Sequence, residues 1–253
     1  MLAEHGAKVV VNDFGGSRDG TGDDVVGRAD VSSFTEAEAL IQQAIDTFGG
    51  LDVLINNAGI LRDRMVFSMT EEEWDAVIKV HLKGTFGPAH FAAVYWREQA
   101  KAGKTNDARL INTTSVSGIY GNAGQTNYGA AKAGIAAFTL IASDELARYG
   151  VTVNAIAPGA LTRLTEDLGV FDEERAAKAD PRWVAPIATW LASTESAGVT
   201  GRVIESSGSV LAVAEGWHRG PATDKVPAEP GEVGAILQPL VDKARMKANM
   251  QGS

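Results

Sequence analysis

No cysteine occurs among the 253 residues, which excludes disulfides, thiolate zinc sites and catalytic thiols together. The four histidines, His5, His81, His90 and His218, are scattered without ligand spacing, so no metal is expected. There is no basic run, and 32 acidic against 23 basic residues leave a formal charge of -9. A nucleic-acid partner is therefore not expected. No apolar run approaches the ~20 residues of a membrane span. The opening "MLAEHGAKVV" is neither signal-like nor Arg-rich. These absences leave a soluble, cytoplasmic protein whose partner is a small molecule.

What is present is a chain long enough, with 45% apolar residues, for one large domain buried on both sides of a sheet. Val/Ile/Leu-rich runs at 7–13, 51–57, 108–115, 151–158 and 201–208 alternate with helical patterns. Strands apolar on both faces and separated by helices predict a doubly wound, Rossmann-like α/β fold with a parallel sheet. "TEAEALIQQAIDTFGG" reads as a helix capped by Thr35 and stopped by Gly-Gly, and the stretch from Thr70 to Ala100 as two helices divided near Gly84. From about residue 216 a Pro/Gly-rich extension follows, with a short amphipathic helix from about Val233 to Met246. It belongs to the same single domain, 1–253.

The stretch "YGAAKAGIAAFTLIASDELARYG" is a helix with Tyr128 and Lys132 four apart on one face. Ser115 ends the strand before it, and the Gly-rich link "GIYGNAGQ" allows the serine to fold back toward that helix. Taken alone, Tyr-x-x-x-Lys also fits an interfacial aromatic beside a solvated lysine. The chemistry gives the second reading its content. A phenol has a pKa of ~10, so acting as a base near neutrality needs a fall of about 3, or about 4 kcal/mol. One ammonium ~4 Å away, at an effective dielectric of ~20, supplies about that much. A serine hydroxyl would orient the substrate oxygen, and the hydride that remains needs a nicotinamide, because no side chain carries one.

Asp13 ends the first strand-like run, where a carboxylate accepts both ribose hydroxyls of NAD and repels a 2′-phosphate. NAD is thus the expected cofactor. Asp30-Val31 follows another short strand, where Asp30 would meet an adenine edge or merely cap a helix. Asn57-Ala58-Gly59 closes the strand 51–57 with small residues that let the backbone approach a ligand.

Together with Asn56, Ser115, Tyr128-x-x-x-Lys132 and Pro158-Gly159, in this order, these residues make the chain resemble the short-chain dehydrogenases/reductases. The phrases "VVVNDFGG", "RDRM", "VHLKG" and "SGIYGNAGQTNYGAAK" are similar to the (3R)-hydroxyacyl-CoA dehydrogenase domains of multifunctional enzyme type 2 and their bacterial single-domain relatives. The resemblance implies Ser115 orienting the substrate oxygen, Tyr128 as acid/base, and Lys132 lowering the tyrosine pKa while holding the nicotinamide ribose. It implies a role for His81, where the family often has asparagine, with a core histidine bonded to backbone as the alternative. Thr162 is a candidate for the carboxamide, although the usual threonine position is Arg163. A homodimer or homotetramer is implied, as is oxidation of a (3R)-3-hydroxyacyl-CoA or related lipid thioester. A 17β-hydroxysteroid dehydrogenase and a non-catalytic scaffold are the alternatives.

The resemblance also implies a first strand and a Gly-rich pyrophosphate turn ahead of "MLAEHGAKVV", and this sequence holds neither. "FGGSRDGTGDD" is too short and too irregular for a crossover helix between the second and third strands. The sheet is expected to lack those parts, with unpaired ladders beside the gap.

Overall fold

A computed structural model of the chain describes residues 1–13, 29–159, 180–250 and 252. The chain divides into two compact units, Met1–Ala214 and Glu215–Ser253. The first carries a five-stranded sheet: β1 (Val53–Asn56), β2 (Ala108–Thr113), β3 (Val151–Pro158), β4 (Arg202–Ser206) and β5 (Leu211–Ala214). The strands lie side by side in that order, β1 to β4 parallel and β5 antiparallel to β4. The expected α/β, Rossmann-like class is what is found, with β5 an addition beyond the strands expected from the sequence.

Both faces of the sheet are covered because the strands are apolar on both sides. Leu110 and Val153 point to one layer, where they pack with Ala92, Trp96 and Ala142. That layer is built by α1 (Phe34–Phe48), α3 (Gly84–Lys101) and α5 (Thr126–Leu146). Trp96 is fully buried and donates its indole N–H to the Leu51 carbonyl at 2.6 Å, so its one polar atom is satisfied. Ile111 and Ile156 point the other way and meet Leu191 at the end of α6 (Ala185–Leu191).

Helix α1 is capped by Ser33, which accepts the Glu36 amide, rather than by Thr35, and ends at Gly49 with φ 80°. The earlier cap places Glu36 where its carboxylate accepts the Asp30 amide at 2.8 Å. The stretch read as two helices is α2 (Glu71–Ile78) and α3, joined by a π-helical turn at Lys79–Lys83. Thr70 and Glu73 close a capping box at its start.

One expected strand is not formed. Residues 7–13 join no ladder, and Val9 and Val11 are exposed. A strand needs a neighbour for its backbone groups, and among the described residues nothing flanks the outer edge of β1. Instead the Asn12 side chain takes both the amide and the carbonyl of Ala29, each at 3.0 Å, imitating one rung of a ladder. The expected lack of a helix between the second and third strands falls on residues outside those described.

In the second unit, α7 (Pro230–Lys243) starts on a proline in its first turn, and the Glu232 carboxylate accepts the Ala228 amide at 3.0 Å. No helix among the described residues is long and apolar enough to cross a membrane.

Candidate active site

The parallel strands end at one edge, and the singled-out residues gather there: Asn57-Ala58-Gly59 after β1, Ser115 after β2 and Pro158 at the end of β3. Ligands of open α/β sheets bind at this edge. Ser115 caps a short helix, α4 (Val116–Ile119), its Oγ accepting the Ser117 amide at 3.1 Å. This helix was not foreseen in the Gly-rich link. It presses on α5 so closely that a Cβ on Gly118 would lie 2.5 Å from the Ala133 nitrogen. Only glycine permits that approach, which brings Ser115 close enough to the first turn of α5 to act on the Tyr128 phenol.

Lys132, one turn further on, is almost fully buried and donates from Nζ to the Thr113 carbonyl at 2.6 Å. Its Nζ stands 5.6 Å from the centre of the Tyr128 ring. Burial pulls the lysine down to about 7, so its charge is only partly kept at neutrality. The tyrosine does not show the depressed pKa that the spacing suggested. Burial raises its phenol, the Ser115 hydrogen bond opposes this, and the Asp63 charge adds to the rise. In this geometry Tyr128 is held as a proton donor.

His81 sits in the π-helical turn, its ring edge-on to Tyr128 at 5.1 Å between centres. Its Nε2 lies 2.7 Å from the Ile60 carbonyl and 3.1 Å from the Ile60 amide, while Nδ1 is buried with no partner among the described residues. The shorter contact fits an Nε2–H tautomer, which leaves Nδ1 as a bare acceptor. Burial first, and the Lys132 charge second, lower the histidine to about 3, against the bond to Ile60. It is therefore neutral. Gly59 is required here, since a Cβ would fall 2.3 Å from His81 Cε1. Inserted π turns re-aim side chains at functional sites, and no proline or turn motif marks this one in the sequence.

The cofactor candidates divide. Asn57 accepts from the Thr113 hydroxyl at 3.0 Å, and the open backbone of Asn57-Ala58, with Pro158 across the sheet edge, faces the Tyr128–Lys132 pair's end of the strands. A buried amine, two half-open strand ends and a bare histidine nitrogen suit the nicotinamide-ribose end of a dinucleotide. The other end is not assembled among the described residues. Asp30 accepts the Ser32 amide and hydroxyl at 2.9 and 2.5 Å and lies 3.8 Å from Lys79. Burial works to raise its carboxyl, but the two Ser32 bonds and the lysine charges prevail and lower it. That is the capping behaviour of a turn. Val31 packs its side chain against Gly84 of α3. Asp13 is not at the tip of a sheet strand, as expected, but on the exposed stretch outside the ladder. Thr162 lies outside the described residues.

Several contributors were given no role of their own in the sequence, Asn56 entering only through the resemblance. Asn127 is fully buried; its amide donates to the carbonyls of Arg62 at 2.8 Å and Glu73 at 3.2 Å, and its Oδ1 accepts the Tyr128 amide at 2.7 Å. Asn56 donates to Asn112, which donates to Thr139, a polar ladder tying β1 and β2 to α5. Tyr120 bonds Glu205 of β4 and anchors the far end of α4; burial and that carboxylate push its phenol up to about 12. The polar run "GQTN" directly before Tyr128 was the one visible signal.

The short chain dehydrogenase family model matches residues 1–171. Hydroxyacyl-CoA dehydrogenase ChsB1 of Mycobacterium tuberculosis is 41% identical over 259 residues, covering 94% of this chain and 81% of that protein. Peroxisomal multifunctional enzyme type 2 of Drosophila melanogaster is 38% identical over 257 residues, covering 96% of this chain and 39% of that protein. The crystal structure of a short chain dehydrogenase from Mycobacterium avium superposes with a TM-score of 0.86 at 45% identity, covering 98% of this chain and 90% of the other. The chain therefore belongs to the short-chain dehydrogenase family of oxidoreductases, which generally bind NAD(P).

Proposed function

We propose that the chain oxidises the secondary alcohol of a (3R)-3-hydroxyacyl-CoA or related lipid thioester, with NAD as cofactor. The observation that carries the reading is the convergence of Ser115, Tyr128 and Lys132 at the ends of the parallel strands, with the Lys132 Nζ 5.6 Å from the centre of the Tyr128 ring. The name of the mycobacterial relative, a hydroxyacyl-CoA dehydrogenase, supports the thioester. The NAD preference rests on Asp13 in the sequence alone.

The roles follow from the geometry. The Ser115 hydroxyl donates to the substrate oxygen and keeps it beside the phenol. Tyr128 takes the hydroxyl proton once it has lost its own, so oxidation accelerates as the pH rises; in reduction Tyr128 returns that proton. Lys132 stabilises the phenolate and offers a donor to a ribose hydroxyl. His81 Nδ1, neutral and without a partner among the described residues, accepts a proton-bearing water at the inner end of the site. A nicotinamide, when bound, supplies the hydride acceptor. Exposed Phe86 on α3 and Leu140 and Ile141 on α5 support self-association through these helices.

The test is a matrix of kcat/KM values for a (3R)-3-hydroxyacyl-CoA and a 17β-hydroxysteroid, each with NAD and NADP. The thioester with NAD is expected to be fastest. A faster steroid reaction would replace the substrate class, and preference for NADP would remove the role given to Asp13.

A further inference from the structure

Next to Tyr128 lies a charged residue to which the proposed mechanism gives no task. Asp63 sits in the loop between β1 and α2. Its Oδ2 accepts from Gln125 Nε2 at 2.7 Å, while its Oδ1 is buried with no hydrogen-bond partner among the described residues. A buried carboxylate oxygen left unpaired costs free energy, and such groups persist where they do something else. The loop is fixed rather than loosely placed. Arg64 donates its amide to the Gly124 carbonyl at 2.8 Å and pairs with Gln125 in an isolated bridge, and Asn127 holds the Arg62 carbonyl. Gln125 in turn accepts from Asn122 at 3.0 Å and receives the Gly129 amide on its carbonyl. The carboxylate is thus locked against the first turn of α5, the turn that carries Tyr128.

Neither nearby arginine forms an ion pair with it. Arg64 pairs with Glu73 at 3.2 Å, and Arg62 donates to the Leu61 carbonyl. Among the described residues, the other groups facing Tyr128 are Lys132 from α5 itself, His81 from the π-helical turn and the Ser115 hydroxyl; the histidine is neutral.

We infer that Asp63, clamped by Gln125, is a positioning residue whose fixed negative charge holds the Tyr128 phenol in its protonated form and so sets the pH at which the site changes from proton donor to proton acceptor. This rests on Tyr128 being the acid/base group. The direction agrees with the rise that the Asp63 charge contributes at Tyr128. Removing the charge makes phenolate easier to form, so oxidation gains and reduction loses at a pH below the original midpoint.

The experiment is a tyrosinate absorbance titration of the full chain without cofactor, with the Tyr128 signal isolated by subtracting Tyr128→Phe. Asp63→Asn keeps an acceptor for Gln125 and removes the charge. Its Tyr128 midpoint should fall by about half a pH unit or more, and the kcat–pH profile for oxidation should move by the same amount with KM unchanged. An unmoved titration midpoint overturns the inference. Should Asp63→Asn fail to fold, Gln125→Ala releases the carboxylate toward solvent and must also lower the midpoint; no change there overturns the inference equally. Full turnover by Tyr128→Phe would refute the catalytic reading instead, while the titration still decides whether Asp63 controls the phenol.

Discussion

The two halves of the site are closed by different kinds of contact. Around Tyr128 each group is tied to an element distant in sequence: Lys132 to Thr113, Asn127 to Arg62, His81 to Ile60 and Tyr120 to Glu205. Around Asp30 the hydrogen bonds run to Ser32 and Glu36, close by in sequence, with one partly exposed ion pair to Lys79 at 3.8 Å, and Asp13 lies on an exposed stretch outside the sheet. Long-range closure fixes geometry to the precision that proton transfer demands. Local closure only shapes a cap. The half proposed to be catalytic is therefore tied together across the fold, and the adenosine half is not built by the residues described.

The comparison is broken most severely by Ser115→Ala, which removes the substrate-orienting hydroxyl and the Tyr128 partner. Oxidation kcat should fall about 10²- to 10³-fold, measured at saturating substrate. Next comes His81→Asn. The folded pKa of about 3 lies below the ordinary 6.5, so the unfolded chain binds the extra proton first and stability is lost as the pH falls from 6.5 toward 3. Unfolding free energies from urea titrations across that window should decline for the wild type by a few kcal/mol and flatten in the variant. Gly118→Ala drives a methyl into the backbone of α5 and should cost about 1–3 kcal/mol, seen in the same urea series, together with a loss of turnover. The smallest effect belongs to the other half: Asp30→Ala, stripped of its turn bonds and a partly exposed ion pair, should cost only about 1 kcal/mol and leave kcat unchanged. A large kcat loss there would erase the distinction between the halves.

The sequence made part of this legible. The Tyr128–Lys132 spacing, Ser115 at a strand end and four of the five expected strands are local patterns, and they survive folding unchanged. What escaped depends on partners remote in the chain. Residues 7–13 look like a strand, yet a strand exists only beside another. The π-helical turn under His81 answers to the packing of Gly59 rather than to any local residue preference. The spacing argument supplied a lysine charge to lower the tyrosine pKa but not the burial that weakens the lysine and raises the phenol. Asp63 and Gln125 are 62 positions apart, and nothing in either neighbourhood announces the other.

The most direct measurement is NADH formation from a (3R)-3-hydroxyacyl-CoA by the wild-type chain and by Tyr128→Phe, with matched unfolding transitions showing that both are folded. The account predicts turnover by the wild type and a loss of at least about a hundredfold in the variant. Equal rates in the two proteins would contradict it.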